Sequence, residues 1–456
     1  VRDYTKWDDQ PASVADFPES LIRAHRIAVT EPAGPVYLCY DIDLQEQPLT
    51  TPLQLPDMAR FPVPRPVQAD PDALAQAAQW LAASQWPVIV ADATCRHPEA
   101  LPHLEALAEL LSAPVISSGG YNIASNHPLN FSPQRTDMLQ RADVVLALDV
   151  ADVQGTLGHG TGPEYFPDLF VNPDAKIVHI SLWDLLNGSW ASDFERLAAV
   201  DLPITGATRL ALPALVDLTR RELERDGGSA SRIADRRAAV EKLRAAADEQ
   251  REANARRNWD VRPISLDRVY GELWPLVKDM PWTEVGGSAG RRGGFEMTQR
   301  EQSTAAGGAT GAGLGLATGT SVGAAYALKD SGRLCFTVLG DGELLYTPSA
   351  LYTASQQSVP LLAIVNDNRS YGNDEGHQEL MARHRNRPVE NKGVGIYIED
   401  PSPDFASIAK GFDVEAFGPV EDPAQVGPVL KRAVDIITRE QRPVLVDIVT
   451  QRPRRG

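Results

Sequence analysis

The run Cys335-Phe336-Thr337-Val338-Leu339 leads directly into Gly340-Asp341-Gly342. A short apolar run bounded by glycines predicts a buried strand that ends in a tight turn. In parallel α/β sheets, ligands bind beyond the carboxyl ends of the strands. The stretch therefore predicts such a sheet, with Asp341 at its ligand-binding rim.

A second strand followed by a turn has the same character. Leu361-Leu362-Ala363-Ile364-Val365 runs into Asn366-Asp367-Asn368-Arg369-Ser370-Tyr371-Gly372, and Asn368 stands 27 residues after Asp341. Two oxygen ligands at a sheet rim, without histidine or thiolate, suit Mg²⁺ when a diphosphate fills other coordination positions. Gly340 and Gly342 allow close approach to phosphate oxygens, and the amides near Gly342 and Glu343 can donate to them. The pattern predicts a metal and diphosphate site.

Alternating helix and strand patterns surround this motif and recur earlier in the chain. Strands are predicted at Pro87–Ala91, Asp143–Leu148 and Lys176–Ser181, with helices between them. Such alternation is typical of a parallel sheet covered by helices on both faces. Because residues 92–96 after the first of these strands lack a glycine fingerprint, we expect no dinucleotide there. The predicted fold class is α/β, with consecutive doubly wound parallel-sheet domains.

The domain organisation follows from these patterns. Residues 1–50 hold one helix, Phe17 to Val29, and one strand, Val36 to Tyr40, and form an incomplete domain. The predicted order then continues with a proline-rich linker at 51–70, a central Rossmann-like domain at 71–210, an exposed helical linker at 211–262 and a complete α/β domain at 263–456.

Bulk composition excludes several classes of function. The formal net charge of -17 over 456 residues argues against a general affinity for nucleic acid or anionic lipid. Three cysteines, Cys39, Cys95 and Cys335, match no metal or disulfide spacing. The chain shows no signal-peptide pattern and no apolar run long enough for a transmembrane helix. We expect a cytoplasmic protein.

The Gly-Asp-Gly to Asn pattern resembles the thiamine diphosphate (ThDP, also called thiamine pyrophosphate) signature of the pyruvate decarboxylase, acetolactate synthase and benzoylformate decarboxylase superfamily. The likeness runs along almost the whole chain and is nearest to benzoylformate decarboxylase-like enzymes. It rests on five further segments: Lys6-Trp7, Pro11-Ala12-Ser13, Gly34-Pro35-Val36-Tyr37-Leu38, Gly313-Leu314-Gly315 and Ser349-Ala350-Leu351.

The resemblance assigns roles to residues in the site. It implies that Asp341, Asn368 and the backbone carbonyl of Ser370 hold Mg²⁺, and that Tyr346 contacts the diphosphate. Leu314, within Gly313-Leu314-Gly315, would hold ThDP in its bent conformation, and Tyr371 and Gly372 complete the cofactor site. Two further residues are weaker candidates. Ser288 would contact phosphate, and His159 would reach the mouth of the site.

The resemblance also identifies what the chain lacks. Residues 1–50 resemble only the end of a pyrimidine-binding domain, whereas 263–456 resemble the diphosphate-binding domain. The glutamate that activates the pyrimidine ring in this family has no counterpart here. We expect either a truncated chain or a second chain that supplies the rest, and association into a dimer or tetramer.

Two positions bear on the substrate. Where aryl-specific relatives place large apolar side chains, this chain has Asp374 and His377. A polar substrate fits these residues better than a phenyl-bearing one. The alternative is that both residues lie on the first turns of a surface helix, where Asp374 would favour the helix dipole.

These observations support a carbon-carbon lyase or transferase: a ThDP- and Mg²⁺-dependent decarboxylase or carboligase that acts on a 2-oxo acid, or a related carbonyl such as an aldehyde, through the ThDP ylide. An acetolactate synthase-like or 2-hydroxyacyl-CoA lyase-like activity is a variant of this hypothesis. A second hypothesis is a cofactor-binding subunit or fragment that is inactive without a partner carrying the glutamate. A third, a phosphohydrolase with Asp341 as nucleophile, is disfavoured because no second aspartate follows at short spacing.

Overall fold

A computed structural model describes residues 1–118, 120–158, 171–186, 197–286, 291–304 and 313–452. Within these limits the chain folds into two compact units. The first contains residues 1–116, 133–158 and 171–236, and the second contains residues 117–132 and 237–452.

The first unit begins with a small parallel pair of strands. Strand β1 (Trp7–Asp9) pairs with β2 (Val36–Leu38), and helix α1 (Phe17–Val29) connects them. The helix has the predicted bounds. The sequence prediction missed β1, because a three-residue segment with two aspartates carries no strand pattern. Its pairing with β1 gives β2 a partner on one edge. Helix α2 (Ile42–Glu46) follows, with the Asp41 side chain accepting a hydrogen bond from the Asp43 amide.

The rest of the first unit is a five-stranded parallel sheet with the strand order β4-β3-β5-β6-β7. Its central strands are nearly continuous runs of Val, Ile, Leu and Ala, as expected for strands that are covered on both faces. The strands are β3 (Pro87–Ala91), β4 (Val115–Ser117), β5 (Val144–Leu148), β6 (Lys176–Ser181) and β7 (Leu202–Thr205). The helices are α3 (Pro71–Ala83), α4 (Leu101–Leu111), α5 (Arg135–Arg141), α6 (Val153–Leu157) and α7 (Thr208–Arg225).

Residues 211–262 were predicted to form an exposed helical linker, and they hold most of α7 and the long helix α8 (Ser229–Arg257). That prediction is wrong for the buried face of α7, which includes Leu212 and Leu215, and for two arginines of α8. Arg236 is 3% exposed and donates to the backbone carbonyls of Ser84, Gln85 and Leu111 at 2.7–3.0 Å. Arg244 is 9% exposed and also donates to backbone carbonyls. Across the described ranges, no helix combines the length and the apolar character needed to traverse a lipid bilayer.

The second unit is built on another five-stranded parallel sheet, with the order β11-β12-β10-β9-β8. The strands are β8 (Trp282–Glu284), β9 (Leu334–Gly340), β10 (Leu361–Asp367), β11 (Glu415–Val420) and β12 (Val444–Val449). The helices are α9 (Leu266–Val277), α10 (Leu316–Ala327), α11 (Asp341–Tyr346), α12 (Ala350–Gln356), α13 (Gly372–His384), α14 (Phe405–Gly411) and α15 (Pro423–Glu440).

Side chains alternate between the two faces of this sheet. Phe336, Ile364 and Val446 belong to the core formed with α9 and α15. Their strand neighbours Cys335 and Leu445 belong to cores formed with α10, α12 and α14. Both faces are therefore covered by helices, which confirms the predicted doubly wound α/β architecture.

Candidate functional site

The candidate site lies at the carboxyl ends of β9 and β10. These strands run in parallel with Gly340 paired to Asn366, so the turns that follow them emerge at the same rim of the sheet. A cavity of about 360 Å³ opens there. Its lining includes ten of the thirteen predicted site residues: Leu314, Gly340, Asp341, Gly342, Glu343, Asn368, Ser370, Tyr371, Gly372 and Asp374.

Asp341 connects the two turns. Its side chain is 1% exposed, and its two oxygens accept hydrogen bonds from the Gly342 amide at 2.7 Å and the Ser370 amide at 3.2 Å. Burial raises the pKa of Asp341 to about 6, although the Gly342 amide stabilises the ionised form. The carboxylate is thus held in place at the rim, in surroundings that favour a positive partner.

The turn from Asn368 to Ser370 presents the other predicted ligands. Arg369 has φ +55°, and this left-handed conformation makes the turn sharp. The side-chain oxygen of Asn368 is buried and has no hydrogen-bond partner. The Ser370 carbonyl accepts from the Gly372 amide at 2.8 Å and retains a second lone pair. An orphaned amide oxygen, a buried carboxylate and a backbone carbonyl fit a hard divalent cation such as Mg²⁺.

Two further acids lie close to this group. Asp367 and Asp447 are 3% and 1% exposed, and both Asp447 oxygens lack a hydrogen-bond partner. Burial, together with repulsion from Asp367, raises the pKa of Asp447 to about 7. Burial also raises the pKa of Asp367. Such a concentration of buried carboxyl groups is unfavourable without positive charge, which a divalent cation would supply.

Sequence reasoning missed Asp447. Its one signal is an aspartate inside the apolar run Val444-Leu445-Val446-Asp447-Ile448-Val449. It enters the neighbourhood of the site because β12 lies beside β10, with Asp447 paired to Val365.

Gly342 has a packing role that the sequence did not reveal. A β-carbon at this position would collide with the aromatic ring of Tyr371. Its amide already donates to Asp341, so the predicted donation to phosphate would have to share that hydrogen. Glycine at position 342 therefore allows the two turns to pack closely together.

The segment with Leu314 is tied to helix α11. Leu314 lines the cavity and is 48% exposed. Gly315 has φ +90°, and its carbonyl accepts from the Thr347 hydroxyl at 2.8 Å. The Glu343 carboxylate accepts from the Ala317 amide at 2.6 Å. The sequence predicted that the backbone amide of Glu343 donates to phosphate. The structure shows a further role, because the Glu343 side chain anchors the segment after Leu314.

The remaining predicted residues differ in position. Asp374 lies in the first turn of α13 and lines the cavity, whereas His377 is exposed and is not among the lining residues. Gly313 and Tyr346 are also not among the residues that line the cavity. The Tyr346 ring packs edge-on against the Tyr371 ring, with the ring centroids 6.2 Å apart. The candidates Ser288 and His159 lie outside the described residues.

A segment with no predicted role contacts the turn from Asn368 to Ser370. Tyr397 forms an antiparallel bridge with Ser370. The Tyr371 amide donates to the Ile396 carbonyl at 3.0 Å, and the Ile398 amide donates to the Arg369 carbonyl at 2.9 Å. We call residues 393–398 the strap. The strap therefore holds the backbone of the turn on both sides of Ser370.

Comparison with known proteins identifies two family regions in the chain. Residues 74–215 match the thiamine pyrophosphate enzyme central domain, and residues 287–448 match the thiamine pyrophosphate enzyme C-terminal TPP binding domain. The second region contains Asp341, Asn368 and Ser370.

Individual relatives match most of the chain. A probable acetolactate synthase large subunit from Methanococcus aeolicus is 24% identical over 449 residues, covering 94% of this chain and 70% of that protein. A sulfoacetaldehyde acetyltransferase from Castellaniella defragrans is 26% identical, covering 86% of this chain and 65% of that protein. The crystal structure of benzoylformate decarboxylase from Polynucleobacter necessarius has a TM-score of 0.68 at 19% identity, covering 98% of this chain and 76% of that one. At this identity the structural match shows a shared fold.

Proposed function

Because the chain belongs to the thiamine pyrophosphate enzymes, we propose that it is a ThDP- and Mg²⁺-dependent decarboxylase or carboligase acting on a 2-oxo acid or related carbonyl compound. The observation that carries this proposal is the unpartnered, buried Asn368 oxygen, which lines the same cavity as the Asp341 carboxylate. A cation would satisfy both oxygens, and the diphosphate of ThDP, the cofactor of this family, would bind the same cation.

The chain's own residues have distinct tasks in this proposal. Asp341, Asn368 and the Ser370 carbonyl hold the cation, which in turn holds the diphosphate. Leu314 contributes an apolar surface against the rings of the cofactor. Bound ThDP supplies a nucleophilic carbon and accepts the electrons of the broken carbon-carbon bond. Glu343 and Thr347 keep Leu314 in place by their bonds to Ala317 and Gly315.

We propose a polar substrate because of Asp374. It lines the cavity with a carboxylate where an aryl pocket would need an apolar side chain. The names of similar proteins do not decide between the two kinds of substrate: acetolactate synthase and sulfoacetaldehyde acetyltransferase are named for small polar compounds, whereas benzoylformate decarboxylase is named for an aryl one. The proposal of a polar substrate therefore rests on Asp374.

Self-association is also part of the proposal. Leu314, Leu316, Tyr326 and Tyr352 are each about half exposed, at 48–58%, in and beside α10 and α12. Such apolar area at the surface favours a protein partner, and a second copy of this chain is the partner proposed here. Light scattering at micromolar concentration should then report a dimer or larger assembly, and a monodisperse monomer would contradict this part. We also propose a cytoplasmic location, because the spacing of the three cysteines suits a reducing compartment.

Calorimetry tests the central assignment. ThDP should bind the wild-type chain in the presence of Mg²⁺, and Asp341→Ala should abolish this binding while the circular dichroism spectrum stays unchanged. Asp330→Ala removes an exposed aspartate after α10 and is the matched control. Unchanged ThDP affinity in Asp341→Ala would show that the site has been misassigned.

A further inference from the structure

Ser370 is held by an unusual number of contacts for a residue in a turn. It is 2% exposed, its amide donates to Asp341, and its hydroxyl donates to a Glu375 oxygen at 2.8 Å. The strap bonds the backbone on both sides of it. The orientation of its carbonyl is therefore set by its side chain as well as by its main chain.

Glu375 is buried behind the turn, in the first turn of α13, with an exposure of 5%. Besides the Ser370 hydroxyl, its carboxylate accepts from the Tyr397 hydroxyl at 3.4 Å and lies 3.2 Å from the Lys392 ammonium. These three partners satisfy a charge that would otherwise be costly to bury. Glu375 does not line the cavity in which Asp341 and Leu314 lie, and its bond to the Ser370 hydroxyl links it to a predicted metal ligand.

We propose that Glu375 is a positioning residue for the metal site: by accepting the Ser370 hydroxyl, it orients the Ser370 carbonyl toward the cation. Tyr397 and Lys392 hold Glu375 in turn. This inference rests on the proposed function, because it concerns the metal that the same turn would bind. Groups that orient metal ligands typically change metal affinity by about 10- to 100-fold when removed.

The experiment measures the Mg²⁺ concentration that supports half-maximal ThDP binding, by calorimetry on the full chain. Ser370→Ala and Glu375→Ala should each raise this concentration by about tenfold. The double variant should be no worse than either single one, because both changes remove the same hydrogen bond. Glu375→Gln keeps an acceptor oxygen and should stay within about twofold of the wild type.

Glu379→Gln is the matched control. Glu379 lies one turn further along α13 and pairs with Lys392 at 2.7 Å, as Glu375 does at 3.2 Å. Among the described residues its carboxylate bonds to Lys392 and Arg383 and not to Ser370. It should leave Mg²⁺ dependence unchanged. If Glu379→Gln and Glu375→Gln raise the required Mg²⁺ concentration as much as Glu375→Ala does, the loss of negative charge rather than of orientation is responsible, and the inference is wrong.

Two other outcomes separate this inference from the proposed function. A wild-type chain that binds no ThDP with Mg²⁺ would overturn the proposed function. A wild-type chain that requires Mg²⁺, with Ser370→Ala and Glu375→Ala equal to it, would overturn the role of Glu375 alone. Should Glu375→Ala fail to fold, Ser370→Ala and Glu375→Gln decide the question, because Ser370→Ala removes the bond that Glu375→Gln retains.

Discussion

Asp447 makes the stability of the second unit depend on pH. The carboxyl is 1% exposed and neither oxygen has a hydrogen-bond partner. Burial raises its pKa from 3.8 to about 7. The folded state therefore binds this proton more tightly than the unfolded chain does. The resulting stability is fully present below about pH 4 and is lost progressively as the pH rises through about 7.

The size of the effect follows from the same two pKa values. A rise from 3.8 to about 7 corresponds to about 4 kcal/mol at about 1.4 kcal/mol per pKa unit. Between about pH 5 and about pH 8, the predicted fall in the free energy of unfolding is about 2–3 kcal/mol. The amide at position 447 of the Asp447→Asn variant cannot ionise. The free energy of unfolding of this variant should therefore fall by about 2–3 kcal/mol less than that of the wild type over the same pH interval.

Urea denaturation in the presence of EDTA measures this difference. The chain has eight tryptophans, of which Trp282 is fully buried in the core of the same sheet, so intrinsic fluorescence follows an unfolding transition to which the second unit contributes. Comparing the two pH values within each protein cancels any constant cost of burying an amide at position 447. Asp330→Asn, an exposed change, serves as the control. If wild type and Asp447→Asn lose the same stability between these pH values, Asp447 is not the titrating group and the reasoning is refuted.

Three further outcomes are expected. Replacing both Asp374 and His377 with Leu should raise the ratio of kcat/KM for aromatic 2-oxo acids to kcat/KM for small polar ones by about tenfold. The assay needs an assembly that contains the activating glutamate. An unchanged ratio would mean that neither residue contacts the substrate. Gly342→Ala should weaken ThDP binding, because the new methyl group collides with Tyr371, and calorimetry showing wild-type affinity would contradict the close packing of the two turns. Removing the Arg236 side chain by substitution with Ala should lower the free energy of unfolding by about 3 kcal/mol in urea titrations, since three backbone carbonyls lose their donor; an exposed arginine of the same helix is the control.

Much of the fold could be predicted because the relevant signals are local. Buried parallel strands appear as short apolar runs, and the bounds of Pro87–Ala91 and Lys176–Ser181 agree with the prediction to the residue. Strand β1 and the strap were not predicted, because short segments gain their structure from the chain they pair with and not from their own pattern.

The arrangement of the proposed metal site could also be predicted from the sequence. Parallel strands that neighbour each other must end at the same rim, so the positions of Asp341 and Asn368 after two apolar runs suffice to bring their oxygens together. The role of the Ser370 carbonyl as a metal ligand came from the family resemblance and stays a prediction.

Other properties were decided only by tertiary structure. An aspartate, a glutamate and an arginine look like surface residues in a sequence, yet Asp447, Glu375 and Arg236 are all buried. The Arg236 partners lie 125–152 residues away, and Asp447 stands beside Asp367 only because β12 inserts between β10 and β11. The sequence by itself determined which strands form and which oxygens meet at the rim, since both follow from local patterns and parallel order. The structure alone decided which charges are buried and what satisfies them, because those contacts depend on the packing of segments far apart in the chain.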